Sequence, residues 1–207
     1  MLLFVQQLLG DCQICPSGYY CGLGTSDAIQ FQCKPGHYCH AGTTPSTQQP
    51  CPKGKYAPVS GLKSELECWI CPGGFVCDDT GLTALDKPCP SRAYCEPYTL
   101  TSGKKCPEGS VCPQGTAYPR PCPPGTLQRE DKCVACPPGE ACSLYGQIKA
   151  KYDKCLAGHF CERGADTPIY KVAPPGTYAR TGADKAQLCA PGTFNSFAGQ
   201  SEVSACS

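Results

Sequence analysis

The stretch Cys68-Trp69-Ile70-Cys71-Pro72-Gly73-Gly74-Phe75-Val76-Cys77 decides the fold of this chain. It reads C-x2-C-P-x-G-x-x-C, and the same spacing returns at Cys12 to Cys21 and at Cys133 to Cys142. Four further C-x5-C steps lie between and beyond these anchors: Cys33 to Cys39, Cys89 to Cys95, Cys106 to Cys112 and Cys155 to Cys161. Repetition at short intervals marks an array of small units that cannot each bury a core alone.

Composition says what replaces the core. Leu, Ile, Val and Phe total 32 of 207 residues, and six of these fall in the first nine positions. The remainder has too little aliphatic material for an ordinary globular interior. Net charge is only +1, so the chain lacks the self-repulsion that goes with disorder. It carries instead 21 cysteines, 23 glycines and 22 prolines, the composition of a disulfide scaffold. Basic residues reach no more than pairs such as Lys104-Lys105, which argues against nucleic acid as a partner. No apolar run approaches the roughly 20 residues of a membrane-spanning helix.

Residues 1–11 form a separate apolar N-terminal segment. Leu2, Val5, Leu8 and Leu9 fall on one helical face, with Gly10 as a C-cap. The segment lacks the basic start and small-residue cleavage site of a signal peptide. It reads as a leader remnant or as a docking helix that places those four residues against a neighbouring subunit. A helix this short needs such packing to persist.

From Cys12 onward, three cysteine-rich modules are expected at 12–67, 68–132 and 133–207, each opening with C-x2-C-P. In most C-x5-C steps, Pro presets φ and the Gly two residues later accepts positive φ, which suits a tight turn. Arg92 stands at one glycine position and implies a wider turn there. Two residues past the Gly comes an apolar or aromatic residue (Tyr20, Tyr38, Tyr56, Val76, Val111, Ala141, Phe160, Tyr178, Phe194), expected to cover an adjacent disulfide. The fold class is therefore small and disulfide-rich: an elongated tandem array with short two-stranded β ribbons and little helix apart from the N-terminal segment.

Paired cysteines admit zinc or disulfide chemistry. The residue after the second cysteine of each C-x2-C is Pro16, Pro72 or Pro137, which has no N–H to hold a thiolate. His37, His40 and His159 do not recur at equivalent ligand positions. Disulfides are favoured, with no metal site and no cofactor. Neither a nucleophile elbow nor a phosphate-cradling loop is present, and the carboxylates sit in turns without spaced partners, so no enzyme is expected.

The run from Cys51 to Cys95, C-x16-C-x2-C-P-x-G-x-x-C-x11-C-x5-C, resembles tumour-necrosis-factor-receptor-like and ephrin-receptor-like cysteine-rich repeats. Cys122-Pro123-Pro124-Gly125-Thr126 and Pro175-Gly176-Thr177-Tyr178 look most like the ephrin-receptor-like version found in large extracellular surface proteins. The resemblance extends over residues 12–206. It implies simple loops Cys51–Cys68, Cys122–Cys133 and Cys189–Cys206, with Cys106–Cys112 closing locally. It further implies crossed pairs: Cys15–Cys33 with Cys21–Cys39, Cys71–Cys89 with Cys77–Cys95, and Cys136–Cys155 with Cys142–Cys161. Local closure of every C-x5-C step is the alternative that sequence leaves open.

Cys12 is left over, unpaired or joined to another chain. In the repeat it ends a loop opened upstream, and Cys206 begins a C-x2-C that is not completed, so both ends read as cut from a longer array. The cysteine-free stretch 162–188 is expected to be the most mobile. Asn195, the single asparagine, is followed by Ser196-Phe197 and makes no N-glycosylation sequon. Thr43, Thr44, Ser46, Thr47, Thr99, Thr101 and Ser102 are candidate O-glycan acceptors on exposed loops.

Two functions fit. The first is a structural, secreted extracellular or cell-surface protein: disulfide-stapled modules packed end to end as a rigid stalk, coat or filament. Its partners are then further copies, neighbouring repeats or glycans. The second is a receptor-type ectodomain that grips a protein ligand. Trp69, where the other copies carry Gln13 and Val134, is the residue that departs from the repeat in that direction.

Overall fold

The computed structural model describes residues 12–45, 47–148 and 153–207. The expected N-terminal helix, with Leu2, Val5, Leu8 and Leu9, lies outside them, as does Ser46. The folding repeat is a single seven-residue turn. It begins at a cysteine, or once at Ala173, passes through positive φ three positions on, and ends three positions later. Turns begin at Cys15, Cys33, Cys51, Cys71, Cys89, Cys106, Cys122, Cys136, Cys155, Ala173 and Cys189, at intervals of 14 to 20 residues. The three expected modules contain three, four and four of these turns.

Among the described residues, regular structure is confined to two-stranded ribbons and two short 3-10 turns. In chain order the strands are β1 (His37–Tyr38), β2 (Gln49–Pro50), β3 (Lys55–Tyr56), β4 (Trp69–Ile70), β5 (Ala93–Tyr94), β6 (Lys104–Lys105) and β7 (Ser110–Val111). They continue with β8 (Arg120–Pro121), β9 (Thr126–Arg129), β10 (Lys132–Ala135), β11 (His159–Phe160), β12 (Lys171–Val172), β13 (Thr177–Tyr178) and β14 (Gln187–Leu188). Consecutive strands pair, β1 with β2 through β13 with β14, giving seven ribbons and no larger sheet among the described residues. The chain divides into two compact units, one running through Lys104 with Gln114–Tyr118, the other comprising Lys105–Pro113 and Pro119–Ser207.

Within each unit the turns are tied by one recurring set of backbone hydrogen bonds. In the first, the Cys33 N–H donates to the Gly18 carbonyl, Cys51 to Gly36 and Cys71 to Gly54, at 2.8–2.9 Å. The turn glycine donates forward in return: Gly18 to Cys39, Gly36 to Ala57 and Gly54 to Cys77, each at 2.8 Å. The second unit repeats the scheme, with Cys136 donating to Gly125 and Gly139 to Cys161. Each such bond contributes about 1 kcal/mol net. The pairing also satisfies backbone groups that a chain with almost no sheet would otherwise leave to solvent.

A second glycine completes the step. Gly42, Gly61, Gly81 and Gly115 donate to the carbonyls of Cys15, Cys33, Cys51 and Cys89, and Gly146, Gly164 and Gly182 do the same for Cys122, Cys136 and Cys155. Tyr98 takes this role for Cys71 and adopts φ +70° to do so. Where the two glycines of a step meet, the turn glycine has no room for a side chain: a Cβ on Gly125 would lie 2.7 Å from the Gly164 carbonyl oxygen. Arg92 adopts φ +66°, inside the left-handed region its neighbours use, so its turn is not the wider one the substitution implied.

Packing follows the same step. Tyr38 lies against Cys51, Ala57, Leu62 and Cys68, Leu127 is clustered with Cys136 and Cys142, Val76 with Cys89 and Cys95, and Ala141 with Cys155 and Cys161. The apolar residue of one turn thus covers the bridge of the turn that follows, and the core is shared between steps. Fifteen of the twenty bridged cysteines are buried, and Cys21, Cys106, Cys133, Cys189 and Cys206 are half-buried.

Twenty of the cysteines form ten disulfides, and Cys12 is free and exposed. Cys51–Cys68, Cys106–Cys112, Cys122–Cys133 and Cys189–Cys206 are bridged in the arrangement the repeat resemblance implies. The crossed pairs are not formed. Cys15–Cys33 and Cys21–Cys39 give way to Cys15–Cys21 and Cys33–Cys39. Cys71–Cys89 and Cys77–Cys95 give way to Cys71–Cys77 and Cys89–Cys95. Cys136–Cys155 and Cys142–Cys161 give way to Cys136–Cys142 and Cys155–Cys161. The turn itself is the cause, because it brings its first and last Cα atoms to 5.7–6.1 Å in these six bridges, inside the span of a disulfide. By the chain-entropy relation such a short loop contributes about 2 kcal/mol and a 17-residue loop about 3.

The stretch 162–188 keeps the ladder without cysteine. Ala173 and Ala179 occupy the two bridge positions fully buried, with Ala173 donating to Gly158 and Ala179 to Gln200. Backbone bonds hold what the missing disulfide does not, so the expected loosening has no basis in its contacts.

Two measurements test this architecture. Cleavage at Asp78, Asp79 and Asp86 without reductant should release fragments divided between Cys77 and Cys89; fragments that stay linked would restore the crossed pairing. Gly125→Ala should cost about 1–3 kcal/mol for its left-handed φ and more for the clash with Gly164. Gly176→Ala, at a similar φ but with nothing within 4 Å of the new Cβ, should cost less in the same denaturant titration.

Candidate functional site

The most distinctive exposed surface of the first unit is the ribbon of β3 and β4. Register pairs Tyr56 with Trp69 and Lys55 with Ile70. The Tyr56 and Trp69 rings meet edge to face with centroids 5.6 Å apart, a favoured aromatic geometry. Trp69 stays 48% exposed and Ile70 60%, and Leu66 on the preceding 3-10 turn is 91% exposed. The ribbon is pinned at its base, since Cys68 and Cys71 flank β4 and are bridged to Cys51 and Cys77. Lys55 closes the edge, its Nζ 3.0 Å from Glu65 and its side chain only 14% exposed. A rigid hairpin therefore presents an indole, an isoleucine and a leucine to solvent.

Of the paired cysteines considered as metal ligands, Cys15, Cys68, Cys71, Cys133 and Cys136 are committed to sulfur–sulfur bonds, and Cys12 is free. Among the described residues no group of three or more His, Cys, Asp and Glu side chains is gathered. His37 and His159 each place Nδ1 beside a backbone carbonyl two residues back, at 3.2 and 3.4 Å. No helix among the described residues is long and apolar enough to cross a membrane.

The candidate glycan acceptors separate by accessibility. Thr43 is buried and its hydroxyl donates to the His40 carbonyl at 2.7 Å, which removes it as an acceptor. Thr99 is half-buried with its hydroxyl on Glu96, whereas Thr44, Thr47, Thr101 and Ser102 are exposed. The Thr44 and Thr47 hydroxyls lie 2.9 Å apart.

Sequence reading missed two side-chain amides that replace a bridge. In the turns opened by Cys122 and Cys189, whose cysteines pair with Cys133 and Cys206, the last position is Gln128 or Asn195. Gln128 Oε1 accepts from the Gly109 N–H at 2.6 Å and its Nε2 donates to Ser110. Asn195 Oδ1 accepts from Gly176 and its Nδ2 donates to Thr177, both at 2.9 Å. Each amide clasps the preceding turn, and its place at the seventh position of the turn is the signal that identifies it. The second glycine was legible in the same way, three or four residues past the turn's last position at Gly42, Gly61, Gly81, Gly115 and Gly164.

Among the described residues, charged side chains pair across exposed loops. Lys87 bridges Asp78 and Asp79 at 2.7 Å, which lowers the Asp78 pKa and raises that of Lys87. This cluster is exposed and of small energetic weight. Asp153 is better enclosed: it accepts from the Ser143 hydroxyl at 2.7 Å and from Gln147 at 3.3 Å. The Ser143 bond is the main cause of its lowered pKa. A carboxyl depressed on folding adds stability above its unfolded pKa and loses it as pH falls through the folded value. Protection of the Ser143 amide against hydrogen exchange should therefore weaken on acidification below about pH 4. Asp153→Asn should flatten that dependence, and an unchanged profile would detach Asp153 from the loop's acid response. Compared with known proteins, the chain matches no family model and no curated protein.

Proposed function

We propose that this chain is a structural extracellular repeat protein of the ephrin-receptor-like type, without catalytic activity. It serves as a rigid stalk, coat or surface filament by end-to-end packing of its steps. The observation that carries this reading is the step-to-step coupling within each unit: turns are bonded through their glycines to the turns that follow, and Tyr38, Val76, Leu127 and Ala141 each cover the following bridge. Repeats whose contacts are to near neighbours in sequence suit spacing and polymerisation. Ten disulfides in a chain with so little hydrocarbon favour an oxidising compartment, hence secretion. Further copies or repeats are then the natural partners, with glycans on the exposed threonines.

The exposed Trp69, backed by Tyr56 and flanked by Ile70 and Leu66, favours a second reading as a receptor-type ectodomain, since such anchors dominate protein recognition. Electron microscopy of the native material separates the two: filaments or continuous coats support the structural role, and dispersed single particles support the receptor. In the structural reading, removing residues 1–11 or changing Cys12→Ser should abolish assembly while leaving the monomer's bridges intact. Filaments unaffected by both changes would remove those links. Reductant should unfold the monomer and a zinc chelator leave it folded; unfolding by chelator alone would overturn the disulfide basis of the proposal.

A further inference from the structure

We propose that the second unit carries a binding site for a small amphiphilic anion, a carboxylate or sulfate on an apolar body, in the cleft between Arg129 and Arg163. The cleft has a volume of about 430 Å³ and is lined by these arginines with Val134, Ala135, Pro137 and Pro138. That is within the size range of small-molecule sites. Local structure explains the convergence. Arg129 ends β9 opposite Lys132, and β10 runs from there through Val134 and Ala135 into the turn opened by Cys136. Gly164 donates to the Cys136 carbonyl at 2.9 Å, which brings the neighbouring Arg163 to the Pro137-Pro138 turn. Residues more than thirty positions apart thus face one space.

Neither guanidinium has an ion pair or hydrogen bond with a described residue. Glu162, the acid next to Arg163 in sequence, is engaged by Lys171 at 2.8 Å, and Arg180 by contrast pairs with Glu202. The six lining side chains offer N–H donors and hydrocarbon but no acceptor. Such a lining selects an oxyanion, which two planar guanidiniums grip through paired hydrogen bonds, on a body with few hydroxyls of its own. A polyhydroxylated neutral sugar would leave its donors unmatched. Such a site is compatible with a structural protein and with a receptor alike.

The test is an NMR titration of the whole oxidised chain with benzoate, 4-nitrophenyl sulfate and, as the neutral counterpart, benzyl alcohol. The expected result is saturable shifts at the Val134 and Ala135 methyls with an anion at a Kd on the order of 1 mM or tighter, and none with benzyl alcohol. Benzoate against the sulfate ester tells which oxyanion is preferred. Arg129→Ala and Arg163→Ala should each weaken binding about tenfold or more, as loss of a charged hydrogen-bonding group does. Both side chains are exposed, so the variants should keep all ten bridges, which the non-reducing fragment map verifies. Non-saturating shifts, an equal response to benzyl alcohol, or a loss confined to one of the two variants would overturn the proposal.

Discussion

The hydrogen bond between a turn glycine and the cysteine that opens the next turn is the constraint on which the rest depends. It fixes the distance at which one step lies on another. At that distance two backbones approach so closely that a turn glycine facing the next step, such as Gly125 against the Gly164 carbonyl, has no space for a Cβ. The glycine also needs positive φ to turn the chain within seven residues, so a single residue type meets both demands. With the steps at this separation, the side chain two residues past the glycine reaches the following bridge, and a shared interior appears without long aliphatic side chains.

Disulfide and ladder divide the labour differently than a small cross-linked domain would suggest. Most bridges here close loops of six residues and reinforce a turn that already exists, while three longer bridges gather the intervening loops. Connectivity between steps is left to backbone bonds. That is why a turn tolerates loss of its bridge: Ala173 and Ala179 fill the two positions with methyl groups, and Gln128 and Asn195 replace sulfur with an amide clasp. What no step gives up readily is a residue able to hold a left-handed turn. Even Arg92 adopts that conformation, and Tyr98 does so at the second turn of its step.

A ladder that satisfies its own interior leaves the outward faces free to vary. Trp69 and Ile70 are exposed on a hairpin whose base is pinned by two bridges, and Arg129 and Arg163 flank a cleft built by a hairpin and the next turn. These surfaces depart from the repeat without disturbing it. Function in such a scaffold is carried by the side chains that point away from the stack.

Much of this was legible in the linear chain. The recurrence of Cys-Pro-x-Gly, the shortage of hydrocarbon and the near-zero net charge together dictate a disulfide-rich array of tight turns with minimal sheet, because no other source of stability is present in the composition. Prolines after the paired cysteines also weigh against thiolate cages. Pairing of Cys15 with Cys21 in preference to Cys33 was decided only in three dimensions. Spacing counts residues, and both partners are within reach of an unfolded chain; the curvature of the turn and the seating of Cys33 on Gly18 determine which sulfur is near. The sharing of each core between successive steps, the meeting of glycines across a step and the approach of Arg163 to Arg129 belong to the same class. They depend on how far one turn lies from the next, a distance set by backbone hydrogen bonds that carry no side-chain signature.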